Sequence, residues 1–355
     1  GSNLETDLHF QGGMTVDGSG VFDIGNSSVN RIITDGSVVT HGASHTIRGG
    51  GSLLANTGGF VNLGAILANT STAITIDPNA GGFTNQGIMT ASGNGGFIFK
   101  DGTFTNTGHS VDVQDGSKLD LDNNTTLIGG TFQTSGSGKN RILGAGDDLV
   151  LDGVTLAAGS TVEQTNVNDA VVKNSLTNHG TWTLSGSNIT TDIKFQAGTV
   201  LDGTGAIVLG PSAVNRLITD GGTFTQKLDH TIRGSGNLLA DSGGLINNGS
   251  IIADSIVAMR IDPGAGGFTN QGVVRATGAG GLIFDSGLFT NSGHTINIED
   301  GSKLSLESGV TLVGGVLDTK DSGVININGN GTTLVLDNVT LSTGSQVTQA
   351  NTKDA

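Results

Sequence analysis

The chain has 355 residues, and its composition departs from that of a mixed globular enzyme: 61 residues are Gly, 3 are Pro, and Cys and Tyr are absent. Hydrophobic residues still reach 35%, which excludes a disordered linker. The formal net charge of −15 argues against nucleic-acid binding and against electrostatic docking to an anionic membrane, because both need a basic surface. No run of 18 apolar residues is present, so the sequence predicts no direct insertion into a membrane.

The first 13 residues, GSNLETDLHFQGG, differ from the pattern that follows. They resemble a vector remnant, because ETDLHFQG is similar to a protease site and Met14 follows as a start residue. We therefore assign residues 1–13 to a vector and leave them out of the fold prediction.

A long internal repeat decides the predicted architecture. The segment Arg31–Ala55 returns as Arg216–Ala240, an offset of 185 in residue number, and the two agree without a gap at 15 of 25 positions. The same offset relates IDPNAGGFTNQG to IDPGAGGFTNQG. The sequence therefore predicts two copies of one repeat, 14–199 and a truncated 200–355, and not a single catalytic domain.

Short alternating runs bounded by Gly, Asn or Asp stand where helices would otherwise be expected. No stretch long enough for a helix combines apolar positions at helical spacing with few Gly or Asn. This pattern favours an all-β fold. The clearest runs are Thr72–Ile76, Gly96–Phe99, Ser110–Val113, Lys118–Leu121 and Leu149–Leu151.

A shorter period lies inside each copy. An apolar residue, an Asn two positions later and a Gly after two more recur along the chain, and the steps between successive occurrences are 23 and then 21 in both copies. In the first copy this pattern comprises Phe60, Phe83 and Phe104, then Asn62, Asn85 and Asn106, and finally Gly64, Gly87 and Gly108. In the second copy it comprises Leu245, Phe268 and Phe289 with Asn247, Asn270 and Asn291.

A period of about 21–24 residues is typical of a parallel β-helix, in which three short strands and three turns make one coil. Equivalent residues of successive coils then lie above one another at about 4.8 Å. We therefore predict an inward Phe stack, a column of mutually bonded Asn side chains and Gly turns with positive φ. At about 21–24 residues per coil, the chain would make about fifteen coils of an elongated rod.

The His residues do not form an obvious metal-ligand set. His45 and His109 are about three coils apart in the predicted stack, so they cannot ligate one ion. His41 and His45 share one coil, but the position that corresponds to His41 in the second copy is Gln226. We interpret these His residues as turn or edge residues, and the sequence predicts no metal and no cofactor.

The acidic residues leave two alternatives open. Asp77 precedes a Pro and is typical of a turn, although Asp side chains and turn carbonyls also bind calcium. A β-helical enzyme acting on polysaccharides would need clustered carboxylates and cations, such as Asp101 with Lys100. Only some of the candidate pairs recur in the second copy: Asp220 with Arg216 does, whereas Lys100 becomes Asp285. The coils also leave no long loops to cover a cleft, so the sequence favours a protein that is not an enzyme.

The segments FTNQGxxxA, NNGSIIA, GGLIFDSGLFTNSG and DGSKLxLxxxxTLxGG carry a family resemblance. Their style and period resemble the passenger repeats of Gram-negative type V secreted exoproteins, namely filamentous-haemagglutinin-like proteins of two-partner secretion and autotransporter adhesins. The resemblance covers essentially everything after Met14. It implies a right-handed parallel β-helix outside the cell, displayed on the outer membrane or released, that serves cell adhesion or biofilm cohesion. It implies no catalytic residues.

Three alternatives stay open: a polysaccharide-acting enzyme, a spacer without a ligand, and tandem immunoglobulin-like sandwiches of about 92 residues each. The partners predicted for an adhesin are glycans, a host or neighbouring-cell surface, or the chain itself, and not nucleic acid. A charged set that recurs in both copies is the first place to look for binding, and it comprises Arg31, Asp35, Arg48, Arg216, Asp220 and Arg233. We expect these side chains to face solvent, with the two groups in line about 40 Å apart along the stack.

Overall fold

The computed structural model describes residues 4–144, 149–167, 169–328 and 333–349. Within these ranges the secondary structure consists of strands and turns without a helix, and the strands pair in parallel. The chain is a β-solenoid of about 15 turns with coils of ~23 residues. The predicted all-β parallel β-helix is confirmed, and the immunoglobulin-like alternative is wrong because its strands would pair antiparallel.

The strands are short, and their bounds follow in chain order. The first twenty are β1 (Thr6–Phe10), β2 (Thr15–Val16), β3 (Val21–Thr34), β4 (Val38–His41), β5 (Thr46–Leu53), β6 (Gly59–Asn62), β7 (Ala65–Ala68), β8 (Ile74–Ile76), β9 (Phe83–Asn85), β10 (Ile88–Ala91), β11 (Phe97–Phe99), β12 (Gly102–Thr105), β13 (Ser110–Val113), β14 (Lys118–Leu121), β15 (Thr125–Ile128), β16 (Thr131–Thr134), β17 (Lys139–Ile142), β18 (Leu149–Leu156), β19 (Thr161–Gln164) and β20 (Ala170–Asn178). The others are β21 (Thr181–Leu184), β22 (Thr191–Phe195), β23 (Val200–Asp202), β24 (Ala206–Leu209), β25 (Asn215–Thr219), β26 (Thr223–Gln226), β27 (Thr231–Gly234), β28 (Gly236–Leu238), β29 (Gly244–Asn247), β30 (Ser250–Ala253), β31 (Met259–Ile261), β32 (Phe268–Asn270), β33 (Val273–Ala276), β34 (Leu282–Phe284), β35 (Gly287–Thr290), β36 (Thr295–Ile298), β37 (Lys303–Glu307), β38 (Val310–Val313), β39 (Val316–Thr319), β40 (Val324–Asn328), β41 (Val335–Asp337), β42 (Thr340–Leu341) and β43 (Val347–Gln349).

The chain divides into two compact units. Unit 1 is Gly1–Val171 with His179–Thr181, and unit 2 is Val172–Asn178 with Trp182–Ala355. This division lies before residue 199, where the sequence repeat suggested a boundary. A sequence repeat has no privileged starting point, because each of its coils can be taken as the first.

Three columns of parallel strands build unit 1. In the first column, β6, β9 and β12 stack with Phe60 opposite Phe83 and Phe83 opposite Phe104. The second column contains β7, β10 and β13, and the third contains β8, β11 and β14. Each predicted step of the inner period, 23 and then 21, is therefore one coil.

Alternation along each strand separates the core from the surface. Successive side chains of a strand point to opposite faces, so in β10 Met89 and Ala91 are buried, whereas Ile88 is exposed. A buried side chain the size of Met89 contributes about 1.5–3 kcal/mol relative to exposure. The core of each unit is consequently a row of small apolar layers, one per coil, and not a single centre.

Of the three Gly residues that were predicted to have positive φ, two are needed because of close packing and not because of φ. Gly108 has φ +78°, as predicted, but Gly64 and Gly87 do not adopt positive φ. A Cβ on Gly87 would lie 2.1 Å from the carbonyl oxygen of Gly64, one coil away, and a Cβ on Gly64 would lie 2.4 Å from the carbonyl oxygen of His45. At these two positions only Gly fits, because successive coils approach too closely for any side chain.

The N-terminal segment GSNLETDLHFQGG belongs to the repeat. Its strand β1 pairs in parallel with β3, with Asp7 opposite Arg31. The same register relates β22 to β25, with Asp192 opposite Arg216, at the offset of the sequence repeat. The segment also matches GSNITTDIKFQAG at 8 of 13 positions at that offset. Strand β1 is thus part of the solenoid, and leaving this segment out of the fold prediction was wrong.

Candidate functional site

A column of buried amide side chains lies at the ends of strands β6, β9 and β12 in three successive coils of unit 1. Asn62 Nδ2 donates to Asn85 Oδ1 at 2.8 Å, and Asn85 Nδ2 donates to Asn106 Oδ1 at 2.6 Å. The column ends where Asn106 Nδ2 donates to the carbonyl oxygen of His109 at 3.1 Å. Asn62 and Asn85 thus donate along the solenoid axis, and these bonds satisfy polar groups that would otherwise be costly to bury.

Unit 2 contains the counterpart column. Asn247 Nδ2 donates to Asn270 Oδ1 at 2.8 Å, and Asn270 Nδ2 donates to Asn291 Oδ1 at 2.7 Å. Asn291 Nδ2 then donates to the carbonyl oxygen of His294 at 3.0 Å. The two columns agree in order, direction and end point, so this arrangement is a property of the repeat.

The Phe residues of the inner period pack beside these amides. The rings of Phe60 and Phe83 are parallel with centroids 6.0 Å apart, and Phe104 follows Phe83 at 5.9 Å. In unit 2, Phe268 and Phe289 lie 5.9 Å apart. These aromatic and amide residues are internal, so they build the fold and leave the outward face free to vary.

Two His residues extend the amide column of unit 1. His45 lies in the turn between β4 and β5, as expected, whereas the interpretation of His41 as a turn or edge residue is wrong, because His41 is the last residue of strand β4. His41 Nδ1 lies 2.7 Å from Asn62 Oδ1, and His41 Nε2 lies 3.0 Å from His45 Nδ1. Both His side chains are buried. Burial lowers the pKa of His41, although its hydrogen bond with Asn62 opposes the shift. The sequence carries the signal for this placement, because the apolar-x-Asn pattern is matched by an apolar residue two positions before His41.

Unit 2 has a Gln in place of the first His. Gln226 Nε2 donates to the carbonyl oxygens of His230 at 2.7 Å and Ser250 at 3.2 Å. His230 is fully buried, and its Nε2 lies 3.1 Å from Asn178 Nδ2. Burial lowers the pKa of His230 to about 4, against a weaker opposing effect of Asp202.

The recurring charged residues of unit 1 do not form one cluster. Arg31 makes two hydrogen bonds of 2.8 Å to Asp7 in the neighbouring coil, and they lower the pKa of that carboxyl. Arg48 pairs with Asp23 at 2.9 Å. Asp35 instead accepts a hydrogen bond from the backbone N–H of Ser37 at 3.3 Å. Each Arg is therefore neutralised by a carboxylate one coil away.

The counterparts in unit 2 behave in the same way. Arg216 pairs with Asp192, whose side chain is only 2% exposed, and Arg233 pairs with Asp254 at 2.6 Å. Asp220 accepts a hydrogen bond from the backbone N–H of Ala197 at 3.0 Å. The predicted patch is thus a set of inter-coil ion pairs, which reduces its capacity to bind a charged ligand.

The Asp residues before the two Pro turns are half-buried. Burial raises the pKa of Asp77, whose Oδ2 lies 3.8 Å from Lys100 Nζ, and burial together with Asp285 raises the pKa of Asp262. Across the described residues, no group of three or more His, Asp or Glu side chains could hold a metal ion.

The outward face of β10, β13 and β16 in unit 1 forms an open groove of about 530 Å³. Ile88, 60% exposed, supplies its most exposed apolar side chain. Hydroxyl, carboxylate, amide and imidazole groups lie around it, from Thr90, His109, Ser110, Asp112, Thr131 and Gln133. The sequence did not point to this groove, because its residues come from several coils and are far apart along the chain.

The same face of unit 2 has a different chemistry. The counterparts of Thr90 and Gln133 are Arg275 and Asp318. Arg275 pairs with Glu299 at 2.8 Å, and Asp318 pairs with Lys320 at 2.6 Å. Ion pairs therefore cover the surface that is open and uncharged, apart from Asp112, in unit 1.

Comparisons of the chain with protein families, with curated proteins and with solved structures find no match. In the part of the chain that the structure describes, no helix is long and apolar enough to cross a membrane.

Proposed function

We propose that this chain is a structural and interaction segment of a large repetitive adhesin, displayed on or released from a Gram-negative cell surface. Its solenoid would present contact surfaces for cell adhesion or biofilm cohesion. The proposal does not assign an enzymatic activity, and it takes glycans, a host or neighbouring-cell surface, or the chain itself as partners.

One observation carries the proposal: the inward Asn column is kept between the two copies, whereas several positions on the outward face change their chemistry. The donor bonds of the Asn column recur, with Asn62 Nδ2 and Asn247 Nδ2 donating to equivalent Asn oxygens. On the outward face, Thr90 and Asp112 become Arg275 and Asn297. A scaffold that is copied while its surface diverges is typical of repeat proteins that present binding faces.

The groove of unit 1 is the surface best suited to a glycan. Its exposed Ile88 can contact the C–H face of a sugar ring, while the hydroxyl, carboxylate and amide groups around it can bond sugar hydroxyls. The chain carries a net charge of −15 and the groove contains Asp112, so we expect neutral glycans to bind better than acidic ones.

The test is a panel of neutral, acidic and amino-sugar glycans, assayed with the full chain both for binding and for degradation. We expect binding of a neutral glycan without turnover. The triple variant Ile88→Ser, Asp112→Asn and Gln133→Ala should weaken binding at least tenfold. The matched control variant carries Val273→Ser and Asn297→Ala on the equivalent face of unit 2 and should bind as the unmodified chain does.

Each alternative has its own outcome. Turnover of a polysaccharide would contradict the adhesin and favour the enzyme. Neither binding nor turnover, together with no self-association at high concentration, would favour a spacer. Equal losses of binding in the groove variant and in its control would exclude the groove of unit 1 as the contact surface.

A further inference from the structure

The replacement of His41 by Gln226 leaves three buried polar atoms of unit 2 without a hydrogen-bond partner among the described residues. They are Gln226 Oε1, His230 Nδ1 and Asn247 Oδ1. Buried polar atoms in folded proteins are nearly always bonded to protein or to ordered water. Three such atoms around one position therefore need an explanation.

The imidazole of His41 shows what these atoms lack. In unit 1 it bridges Asn62 Oδ1 at 2.7 Å and His45 Nδ1 at 3.0 Å. The counterparts of these two atoms in unit 2 are Asn247 Oδ1 and His230 Nδ1. Gln226 does not span the same gap, because its amide nitrogen turns to two backbone carbonyls.

The orientations of the two amides are set by backbone carbonyls, which can only accept hydrogen bonds. Gln226 Nε2 faces the carbonyls of His230 and Ser250, so the other amide atom is an acceptor. Asn247 Nδ2 faces the carbonyl of Val273 at 3.3 Å as well as Asn270, so Asn247 Oδ1 is also an acceptor. Reversing either amide would place oxygen against oxygen.

The tautomer of His230 follows in the same way. Asn178 Nδ2 lies 3.1 Å from the carbonyl oxygen of Ala206, which identifies this atom as the amide nitrogen. The same nitrogen lies 3.1 Å from His230 Nε2 and donates to it. A neutral imidazole that accepts at Nε2 carries its hydrogen on Nδ1. His230 Nδ1 is therefore a donor.

The three atoms thus comprise one donor, His230 Nδ1–H, and two acceptors, Gln226 Oε1 and Asn247 Oδ1. A water molecule accepts from one donor and donates to two acceptors, and buried waters commonly make about three hydrogen bonds. We propose that unit 2 holds an internal water-binding site at this position, in which one water takes over the bridging role of the His41 imidazole. A metal cation does not fit, because an N–H would point at it.

The site is tested with the full chain by crystallography at a resolution that shows ordered waters. We expect a single water within hydrogen-bond distance of all three atoms. In Q226H the restored imidazole should expel it and bond directly to Asn247 Oδ1 and His230 Nδ1. In the reciprocal control H41Q, a new water should enter unit 1 between Asn62 Oδ1 and His45 Nδ1.

A dry site, a direct bond between Gln226 and Asn247, or density that refines as a cation would each overturn the proposal. In solution, water-to-protein magnetisation transfer to the His230 Nδ1–H should be observed in the unmodified chain. Its absence would equally contradict the site. These solution and crystallographic readouts on the unmodified chain decide the question even where Q226H fails to fold.

Discussion

Between the two units, charged pairs and internal polar side chains change in different ways. Asp120 and Arg141 form a two-pronged ion pair at 2.7 Å in unit 1, and their counterparts are Ser305 and Asn326, so both charges are replaced together. Asp120 is buried, and removing only one partner would leave an uncompensated charge. The His41 to Gln226 change is different, because its bonded neighbour, Asn62 or Asn247, is kept.

This difference shows where the repeat tolerates change. Outward ion pairs are exchanged as units or re-formed with a new partner, as when Asp23 becomes Val208 and Arg233 pairs with Asp254. The internal column instead keeps its register even when one member is replaced. The comparison therefore predicts large effects for inward positions and small effects for outward ones, and the following experiments address it in order of expected size.

Phe83→Ala should have the largest effect. Phe83 lies between Phe60 and Phe104, and truncation of a buried Phe costs about 3–5 kcal/mol. Its counterpart Phe268 also has two aromatic neighbours, Phe284 and Phe289, although Leu245 takes the place of Phe60. Phe268→Ala should therefore cost a similar amount, about 3–5 kcal/mol. Urea unfolding of both variants measures the two losses, and a loss as small as that of an exposed substitution in either variant would contradict the comparison.

Acidification should destabilise the chain through His230. Its pKa is about 4 in the folded state because of burial, against 6.5 for an ordinary His. The unfolded state therefore binds the proton first, and stability that is fully present above pH 6.5 is lost as the pH falls towards 4. The loss is about 3 kcal/mol for a shift of this size.

The control for this pH effect is His230→Gln, because carboxylates titrate in part of the same range. The free energy of unfolding, measured from pH 7 to pH 4, should fall more steeply for the unmodified chain than for the variant. Parallel curves would show that His230 is not responsible.

Asn140→Ile should stabilise the chain. Asn140 faces inward between Leu119 and Val162, is 2% exposed, and neither of its amide atoms has a partner in the described part of the chain. Its counterpart is Ile325. Relieving an unpaired buried amide should gain about 1–3 kcal/mol. The reverse change, Ile325→Asn, should lose at least as much, and a higher urea midpoint for that variant would refute the argument.

Arg48→Ala should have the smallest effect. The Arg48 and Asp23 side chains are 48% and 53% exposed, and pairs of this kind are worth about 0.2–1 kcal/mol and are screened by salt. The melting temperature should change by a few degrees or less, and the difference should shrink at high salt concentration. A large, salt-independent loss would show that this pair supports the core.

Much of the fold follows from the spacing of residues alone. The nearly constant steps between Phe60, Phe83 and Phe104 predicted both the coil length and the stacking, because parallel coils place equivalent residues at one height. The same logic placed the Asn residues in a column. The same spacing also places His41 in the column, but its residue type led to the interpretation as a turn or edge residue.

The candidate site was much harder to predict from the sequence than the fold was. The groove beside Ile88 joins residues of three coils, and no local pattern marks which outward residues remain uncovered. The recurring charges were visible, but their partners were not. Arg31, for example, bonds to Asp7 one coil away and not to Asp35, which is nearer in sequence.

By itself, the sequence determined the strand period, the inward and outward alternation, and the long repeat. These are local or periodic properties, and a period of two within strands and about 22 between coils is enough to specify them. Only the tertiary structure decided which polar atoms bond to one another and which remain unpaired. That outcome depends on the height and rotation of each side chain within a neighbouring coil, as the difference between His41 and Gln226 shows.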